Sequence, residues 1–250
     1  MIQLKSAREI DVMAEGGRIL AGALAELKAR VAPGVSTLEL DEIADSDIRR
    51  HEGAMPAFKG LYGFPRSICL SINNEIVHGI PSRQRVLEVG DLLSIDIGVQ
   101  YKGFYTDAAI TVPVGAVDET SKKLLAVTAE ALDAGIAAAT VDNHIGDIGA
   151  AVQSVVERAG FSVVRELVGH GVGAAAHEDP QVPNFGKPKR LMKLVPGLTI
   201  AIEPMVNVGS PKTRTMPDGW TIVTADGSRS AHFEHTVAVT PAGPRVLTRA

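Results

Sequence analysis

Four acidic side chains of this 250-residue sequence lie in strand-like contexts. Asp96 falls in the apolar run 94–98, and Asp107 follows it beyond a Tyr-Lys-Gly turn at 101–103. A hairpin with its turn near Lys102 is predicted to bring the two carboxylates opposite each other on neighbouring strands. Two such acids repel each other unless one is protonated or a cation lies between them. For the hairpin alone, the alternative is that one acid faces solvent or pairs with a lysine.

The second half of the chain supplies two more acids. Glu203 ends the apolar run 199–203, and Glu234 lies at the start of another β-rich run. The four carboxylates together carry a charge of −4, which two divalent cations would balance. His170 could add an imidazole, since its flanking glycines allow close backbone approach, although a glycine-flanked histidine is also a common turn residue.

An oxygen-rich set with one imidazole suits Mn²⁺, Fe²⁺, Co²⁺ or Zn²⁺. Two such ions about 3.5–4 Å apart can activate water and polarise a peptide carbonyl. The chemistry that these residues predict is therefore hydrolysis.

The elements that must position these side chains occur twice along the chain. Two helices, 6–30 and 36–51, each begin with a Ser-x-x-Glu capping box, and a second pair is predicted at 119–139 and 143–159. Strands are predicted at 67–72, 92–97 and 161–164. Residues 90–96 also share their pattern with 197–203, a glycine followed by mostly apolar residues and an acid. We therefore expect one catalytic domain, 1–250, made of two similar halves, roughly 1–115 and 116–250.

The composition places limits on location and partners. The net charge of −4 gives no electrostatic basis for nucleic-acid binding, and the short basic segment 187–190 is expected to be a solvated loop rather than a nucleic-acid patch. One cysteine, Cys69, excludes an intrachain disulfide. No segment has the length and apolarity of a membrane span or a signal peptide. A cytoplasmic location is expected by default.

Seven motifs in this order resemble the type I methionine aminopeptidases, which belong to the pita-bread metallopeptidases. They lie at residues 73–81, 96–98, 105–107, 169–173, 177–180, 203–205 and 234–236. The resemblance covers nearly the whole chain. It implies an α+β pita-bread fold, with two pseudo-symmetric α/β halves around a central antiparallel sheet and helices outside. It also implies removal of the N-terminal methionine from nascent polypeptides whose second residue is small.

The resemblance assigns roles to individual residues. Asp96 corresponds to the acid that chelates one of two divalent ions (Co, Mn, Fe or Zn), and Asp107 and Glu234 correspond to the bridging acids. The other ion is assigned to His170 and to Glu203, which is also the proton shuttle. Two further histidines, His78 and His177, correspond to the pair that contacts the substrate and stabilises the tetrahedral intermediate; taken alone, they could be a turn residue and a helix cap.

The same resemblance implies a methionine pocket, although core packing would equally explain its members Phe58, Tyr62, Phe64, Cys69 and Trp220. The sequence departs from the family at three positions. Ala176 stands where a bulky aromatic is usual, Ala174 where arginine is frequent, and Phe58 where many relatives have a smaller residue. We expect that bulk has moved from one pocket wall to another. A structural monovalent cation is expected near Asn73 and Ser230.

Two other assignments compete with this one. A related X-Pro aminopeptidase or prolidase shares the five metal ligands, but it usually has an extra N-terminal domain, for which the residues before Asp96 leave no room. A non-catalytic binding protein on the same fold would have lost ligands that are all present here. The remaining expectations are a monomer with transient ribosome contact, no membrane association and no nucleic-acid binding of its own.

Overall fold

The computed structural model describes residues 2–249, which contain two pairs of α-helices. Their bounds are α1 (Ala7–Arg30), α2 (Thr37–Arg49), α3 (Glu119–Ala138) and α4 (Ile145–Arg158). Both predicted capping boxes are present, because Ser6 and Ser36 each accept from the backbone of the glutamate three residues later, whose side chain reaches back. A short 3₁₀ helix (Leu61–Gly63) precedes the first long strands.

Most of the strands lie in one antiparallel sheet. In chain order the strands are β1 (Ala54–Pro56), β2 (Cys69–Ile72), β3 (Glu75–Val77), β4 (Leu92–Tyr101), β5 (Phe104–Pro113), β6 (Ser162–Val163), β7 (Gly169–Gly171), β8 (Glu178–Val182), β9 (Thr199–Ile202), β10 (Met205–Asn207), β11 (Thr213–Thr215), β12 (Ile222–Thr224), β13 (Ser230–His232), β14 (Glu234–Thr240) and β15 (Gly243–Val246). The central sheet has the order β1-β4-β5-β14-β9-β7-β8, with β2 beside β4 and β15 beside β14. Two three-stranded sheets, β13-β10-β6 and β11-β12-β3, flank it.

The helices cover one face of this sheet. Alternate residues of β4, among them Ile95 and Ile97, pack with Leu20 and Leu27 of α1. In the second half, residues of β9 and β14 pack in the same way with α3. Because successive strand residues point to opposite faces, Asp96 and Asp107 project from the face away from the helices. Glu234 pairs with Ala109, as Asp96 does, so these three buried acids lie on the inner side of the fold.

The halves meet in the middle of the central sheet. The β4–β5 hairpin and the β9–β14 pair lie side by side, joined where β5 pairs with β14. This is the predicted α+β class, with two pseudo-symmetric α/β halves around a central antiparallel sheet and helices outside. The exact division of a single 1–250 domain near residue 115 stays a prediction; it falls between β5 and α3.

The hairpin differs from the prediction in its register. Lys102 and Gly103 both have positive φ, as a two-residue hairpin turn requires, so Tyr101 pairs with Phe104. Counting from that turn, Asp96 pairs with Ala109, and Asp107 pairs with Gly98. The prediction that the two acids lie directly opposite was wrong. They are diagonal neighbours on the same face, a separation of about 7–8 Å between Cα atoms that two carboxylates can still span.

No helix within 2–249 combines the length and the apolarity that crossing a membrane would need.

Candidate metal centre

Three of the four acids surround one small residue, Ala109. Ala109 pairs with Asp96 on one side and with Glu234 on the other, and Asp107 lies two positions earlier on the same strand. The side chains of Ala109 and of these three acids share one face of the sheet, because paired residues and residues two apart on a strand point the same way. Neighbouring strands lie about 4.8 Å apart, so the Cα atoms of Asp96 and Glu234 are separated by about 10 Å. The methyl group of Ala109 leaves this space to the carboxylates.

Backbone contacts hold the acids in place. Thr236 Oγ1 donates to the carbonyl oxygen of Asp107 (2.8 Å) and accepts from its N–H (2.8 Å). Glu203 follows β9 directly, and Asn184 Nδ2 donates to its carbonyl oxygen (2.9 Å). The carboxylates thus project from backbone that is fixed on several strands at once.

The glycines around His170 are required by close backbone packing. A β carbon on Gly169 would lie 2.4 Å from the carbonyl oxygen of Ala201, and one on Gly171 would lie 2.2 Å from that of Asp179. His170 Nδ1 lies 2.8 Å from the carbonyl oxygen of Gly171. That contact satisfies a proton on Nδ1, which leaves the Nε2 lone pair facing the acids.

Two triads of ligand atoms share one glutamate. One ligand atom from each of Asp107, His170 and Glu234 lies within 4.8 Å of the others, and the same holds for Glu203, His232 and Glu234. His170 Nε2 is 3.9 Å from Asp107 Oδ2 and 3.6 Å from Glu203 Oε1. Asp107 and Glu234 are therefore close enough to hold one cation together. Asp96 belongs to neither triad, although it lines the same cavity.

Burial makes ionisation of these acids costly in the absence of cations. It raises the pKa of Asp96 to about 7. The pKa values of Asp107, Glu203 and Glu234 are raised well above their ordinary range, first by burial and then by the neighbouring carboxylates. Within residues 2–249, Asp96 Oδ1, Asp107 Oδ1 and Glu234 Oε1 are buried with no hydrogen-bond partner. Clustered acids with unpartnered oxygens fit divalent cations, which would neutralise the charge and occupy the free lone pairs.

Two further imidazoles reach this cavity. His78 directly follows β3 and has a left-handed backbone conformation (φ 59°). Burial lowers its pKa to about 4. His177 is exposed, and its ring lies 4.4 Å from that of His170 and 5.6 Å from that of Tyr62. Burial lowers the pKa of His170 to about 4. The pKa of His177 is also lowered, because neighbouring side chains partly desolvate its ring although the residue is exposed at the cavity opening. These rings are therefore neutral at pH 7, and His78 and His177 each have one N–H to donate.

All of the predicted site residues line one cavity of about 630 Å³. Phe58, Phe64 and Cys69 form a buried apolar wall, and Trp220 meets Phe64 edge to face at 5.1 Å. Tyr62 is 73% exposed, so it lies at the opening rather than in the wall. Burial raises the pKa of Cys69, which is consistent with a packing role.

The departures from the family pattern have different surroundings. A β carbon on Gly98 would lie 2.7 Å from the ring of Phe58, so the ring packs directly on that strand. Ala176 is buried beside His177, whereas Ala174 is exposed. A transfer of bulk between pocket walls stays a prediction.

One residue of the centre, His232, was missed in the sequence. It ends β13 two positions before Glu234, and it is 1% exposed. Burial lowers its pKa to about 3. Period-two alternation could have identified it, since residues two apart on an extended chain share a face.

Asn73 and Ser230 also lie together. The N–H of Ser230 donates to the carbonyl oxygen of Asn73 (2.8 Å). Their side chains have other partners: Asn73 Nδ2 donates to Asp91 Oδ1 (2.7 Å), and Ser230 Oγ contacts Asn207 Oδ1 (2.9 Å). The proposed monovalent cation would therefore depend on backbone carbonyls.

Comparison with known proteins gives close relatives over the full length. Residues 11–241 match the family described as metallopeptidase family M24. A methionine aminopeptidase of Clostridium perfringens is 53% identical, with 99% of each chain covered. The crystal structure of a methionine aminopeptidase from Thermotoga maritima superposes with a TM-score of 0.98 at 42% identity, with 100% of both chains covered. An Xaa-Pro dipeptidase from Bacillus anthracis shares only the fold, at 22% identity and a TM-score of 0.80, covering 99% of this chain and 62% of that one.

Proposed function

The chain belongs to metallopeptidase family M24, and from that premise we propose how its acids and imidazoles work. It has the pita-bread fold and is a metal-dependent hydrolase that removes N-terminal methionine. Its 53%-identical relative bears the name methionine aminopeptidase. Low identity to the Xaa-Pro dipeptidase argues against the prolidase alternative. The observation that carries the proposal is that two triads share Glu234 and line a cavity with an apolar wall.

Asp96, Asp107, His170, Glu203 and Glu234 would hold two divalent ions, one of Co, Mn, Fe or Zn. When bound, such ions lower the pKa of water and polarise the scissile carbonyl. The charge of the four carboxylates matches two divalent cations. Three of them, those of Asp96, Asp107 and Glu234, line the cavity and each have a buried oxygen without a hydrogen-bond partner among residues 2–249.

Glu203 is proposed as the proton carrier of the reaction. It directly follows β9, where Asn184 holds its backbone oxygen, and its carboxylate lines the cavity, where it can accept a proton from water and pass it to the leaving amine. His78 and His177 would donate hydrogen bonds to the scissile carbonyl oxygen as its charge develops. Their neutrality at pH 7 suits this role, because a neutral imidazole still has one N–H to donate and carries no charge that would need a carboxylate partner.

The apolar wall of Phe58, Phe64 and Cys69, together with Trp220, is proposed to bind the methionine side chain. A thioether packs well against aromatic rings. Tyr62 and His177 stack at the opening, where the second residue of the substrate would pass. Their rings favour substrates in which that residue is small.

Substrates of this kind are the N-termini of nascent polypeptides, so we propose a cytoplasmic enzyme that makes transient contact with ribosomes and acts as a monomer. The monovalent cation near Asn73 and Ser230 is part of the same proposal.

Replacement of Glu203 by alanine tests the proton-carrier role. In metal-reconstituted Glu203→Ala protein, the rate of methionine release from a Met-Ala-Ser peptide should fall by about 10²–10⁴-fold. This is the usual contribution of a positioned acid–base group. Glu119→Ala is the control, because that glutamate is 88% exposed on α3. Circular dichroism checks the fold of both variants. Undiminished turnover in the Glu203 variant would refute the role.

A further inference from the structure

His232 is held rigidly with its ring in the acidic cavity. Thr111 Oγ1 donates to its carbonyl oxygen (2.9 Å) and accepts from its N–H (2.8 Å). That hydroxyl has no second proton, so Ser94 Oγ donates to it in turn (2.8 Å). A chain of two hydroxyls from β4 and β5 therefore fixes the backbone from which the imidazole projects.

The ring nitrogens of His232 have no hydrogen-bond partner among residues 2–249. Nε2 lies 3.7 Å from Glu203 Oε2 and 3.6 Å from Glu234 Oε2. These distances are too long for hydrogen bonds. Ligand atoms bound at about 2.0–2.2 Å to one ion are themselves separated by about 3–3.5 Å, close to the separations observed. Two carboxylate oxygens and one imidazole nitrogen thus surround a common point.

We propose that His232 is a metal ligand, with Nε2 coordinating a divalent ion together with the carboxylates of Glu203 and Glu234. The inference rests on the proposed metallopeptidase function and extends its ligand set, because resemblance to the family assigns no role to this position. Each of the two triads then contains one imidazole, His170 in one and His232 in the other. A second nitrogen donor shifts the preference of the centre from Mn²⁺ towards Co²⁺ and Zn²⁺.

The number of imidazoles can be counted directly by X-ray absorption spectroscopy of the full-length protein loaded with two equivalents of Zn²⁺. The expected count is about one imidazole per zinc, and about half of that in His232→Gln. His170→Gln should show the same reduction. Calorimetric titration with Zn²⁺ should show one site of His232→Gln weakened on the order of 100-fold, the upper end of the loss seen when a residue that only supports a ligand is removed.

His235→Gln is the matched control. It makes the same substitution three positions along, in a residue whose Nδ1 contacts Thr248 Oγ1 (2.9 Å) and which lies outside both triads. Its imidazole count and Zn²⁺ affinities should equal those of the wild type.

The outcomes separate this inference from the proposed function. Two bound ions with an unchanged imidazole count and affinity in His232→Gln would overturn the inference and leave the peptidase proposal intact. Failure of the wild type to bind any divalent ion would overturn both. If His232→Gln does not fold, the wild-type spectrum decides alone, since one imidazole for two zinc ions excludes His232 as a ligand.

Discussion

Glu234 should destabilise the protein without metal and stabilise it with metal. In the metal-free state, burial and the charges of Asp107, Glu203 and Asp96 raise its pKa well above the ordinary value. When the pKa of a carboxyl is higher in the folded state than in the unfolded chain, the protein loses folding stability as the pH rises from the unfolded pKa towards the folded one. Replacing it with the neutral glutamine of the same shape should therefore raise the melting temperature at pH 7.5. With divalent ions present, the same change removes a ligand of both triads.

The size of the metal effect follows from linkage. A divalent ion at 100 times its Kd stabilises the folded wild type by about 2.7 kcal/mol per site. For a chain of this length that corresponds to roughly 5–11 °C in melting temperature. If Glu234→Gln weakens binding about 100-fold, the same ion concentration equals the new Kd, and stabilisation falls to about 0.4 kcal/mol. The rise in melting temperature contributed by each site then shrinks to roughly 1–2 °C.

The assay is thermal unfolding followed by circular dichroism, in chelator and in Mn²⁺ at 100 times the wild-type Kd. The expected result is a crossing: the variant melts above the wild type in chelator and below it with metal. Glu119→Gln, an exposed glutamate of α3, is the control and should follow the wild type in both conditions. Equal destabilisation of Glu234→Gln in both conditions would refute the reasoning, since it would indicate a purely structural role.

Two further predictions concern stability. The melting temperature of the metal-free protein should fall between about pH 6.5 and 8.5, because the folded state retains protons on Asp96, whose pKa is about 7, and on the other acids after the unfolded chain has released them. The lowered histidine pKa values act in the opposite direction, but only below the ordinary value of 6.5; a melting temperature that rises across the window would contradict this prediction. Lys5→Met should cost about 3–5 kcal/mol in urea unfolding, since Lys5 and Glu178 form an ion pair with side chains only 4% and 11% exposed. Adding Glu178→Gln should recover part of that loss, and no recovery in the double variant would count against a coupled pair.

The helices could be predicted closely because their signals are local. The capping boxes at Ser6 and Ser36 determined where α1 and α2 begin to within one residue. The predicted strand 92–97 was correct in position but too short, since β4 continues to Tyr101. Its last residues alternate in polarity and pair with β5 and β1, contacts that no local pattern reports.

Pairing decided the geometry of the acids. The sequence correctly identified Asp96 and Asp107 as a pair on one face of a hairpin. Their register depends on a turn in which Lys102 has positive φ, and a lysine gives no sequence signal for that conformation. His232 was missed because the sequence places it near Glu234 but 29 residues from Glu203, and only the fold brings its ring beside Glu203.

The sequence alone determined which chemistry is available: four carboxylates in apolar runs, an imidazole between glycines, and a charge that two divalent ions would balance. Side-chain type and short-range periodicity are properties of the chain itself, so they can be read without coordinates. Only the tertiary structure decided that Glu234 serves two triads and that Ala109 leaves them room. Those facts arise from the pairing of β5 with β14, strands separated by more than a hundred residues, and long-range pairing depends on how both halves pack together rather than on any local run.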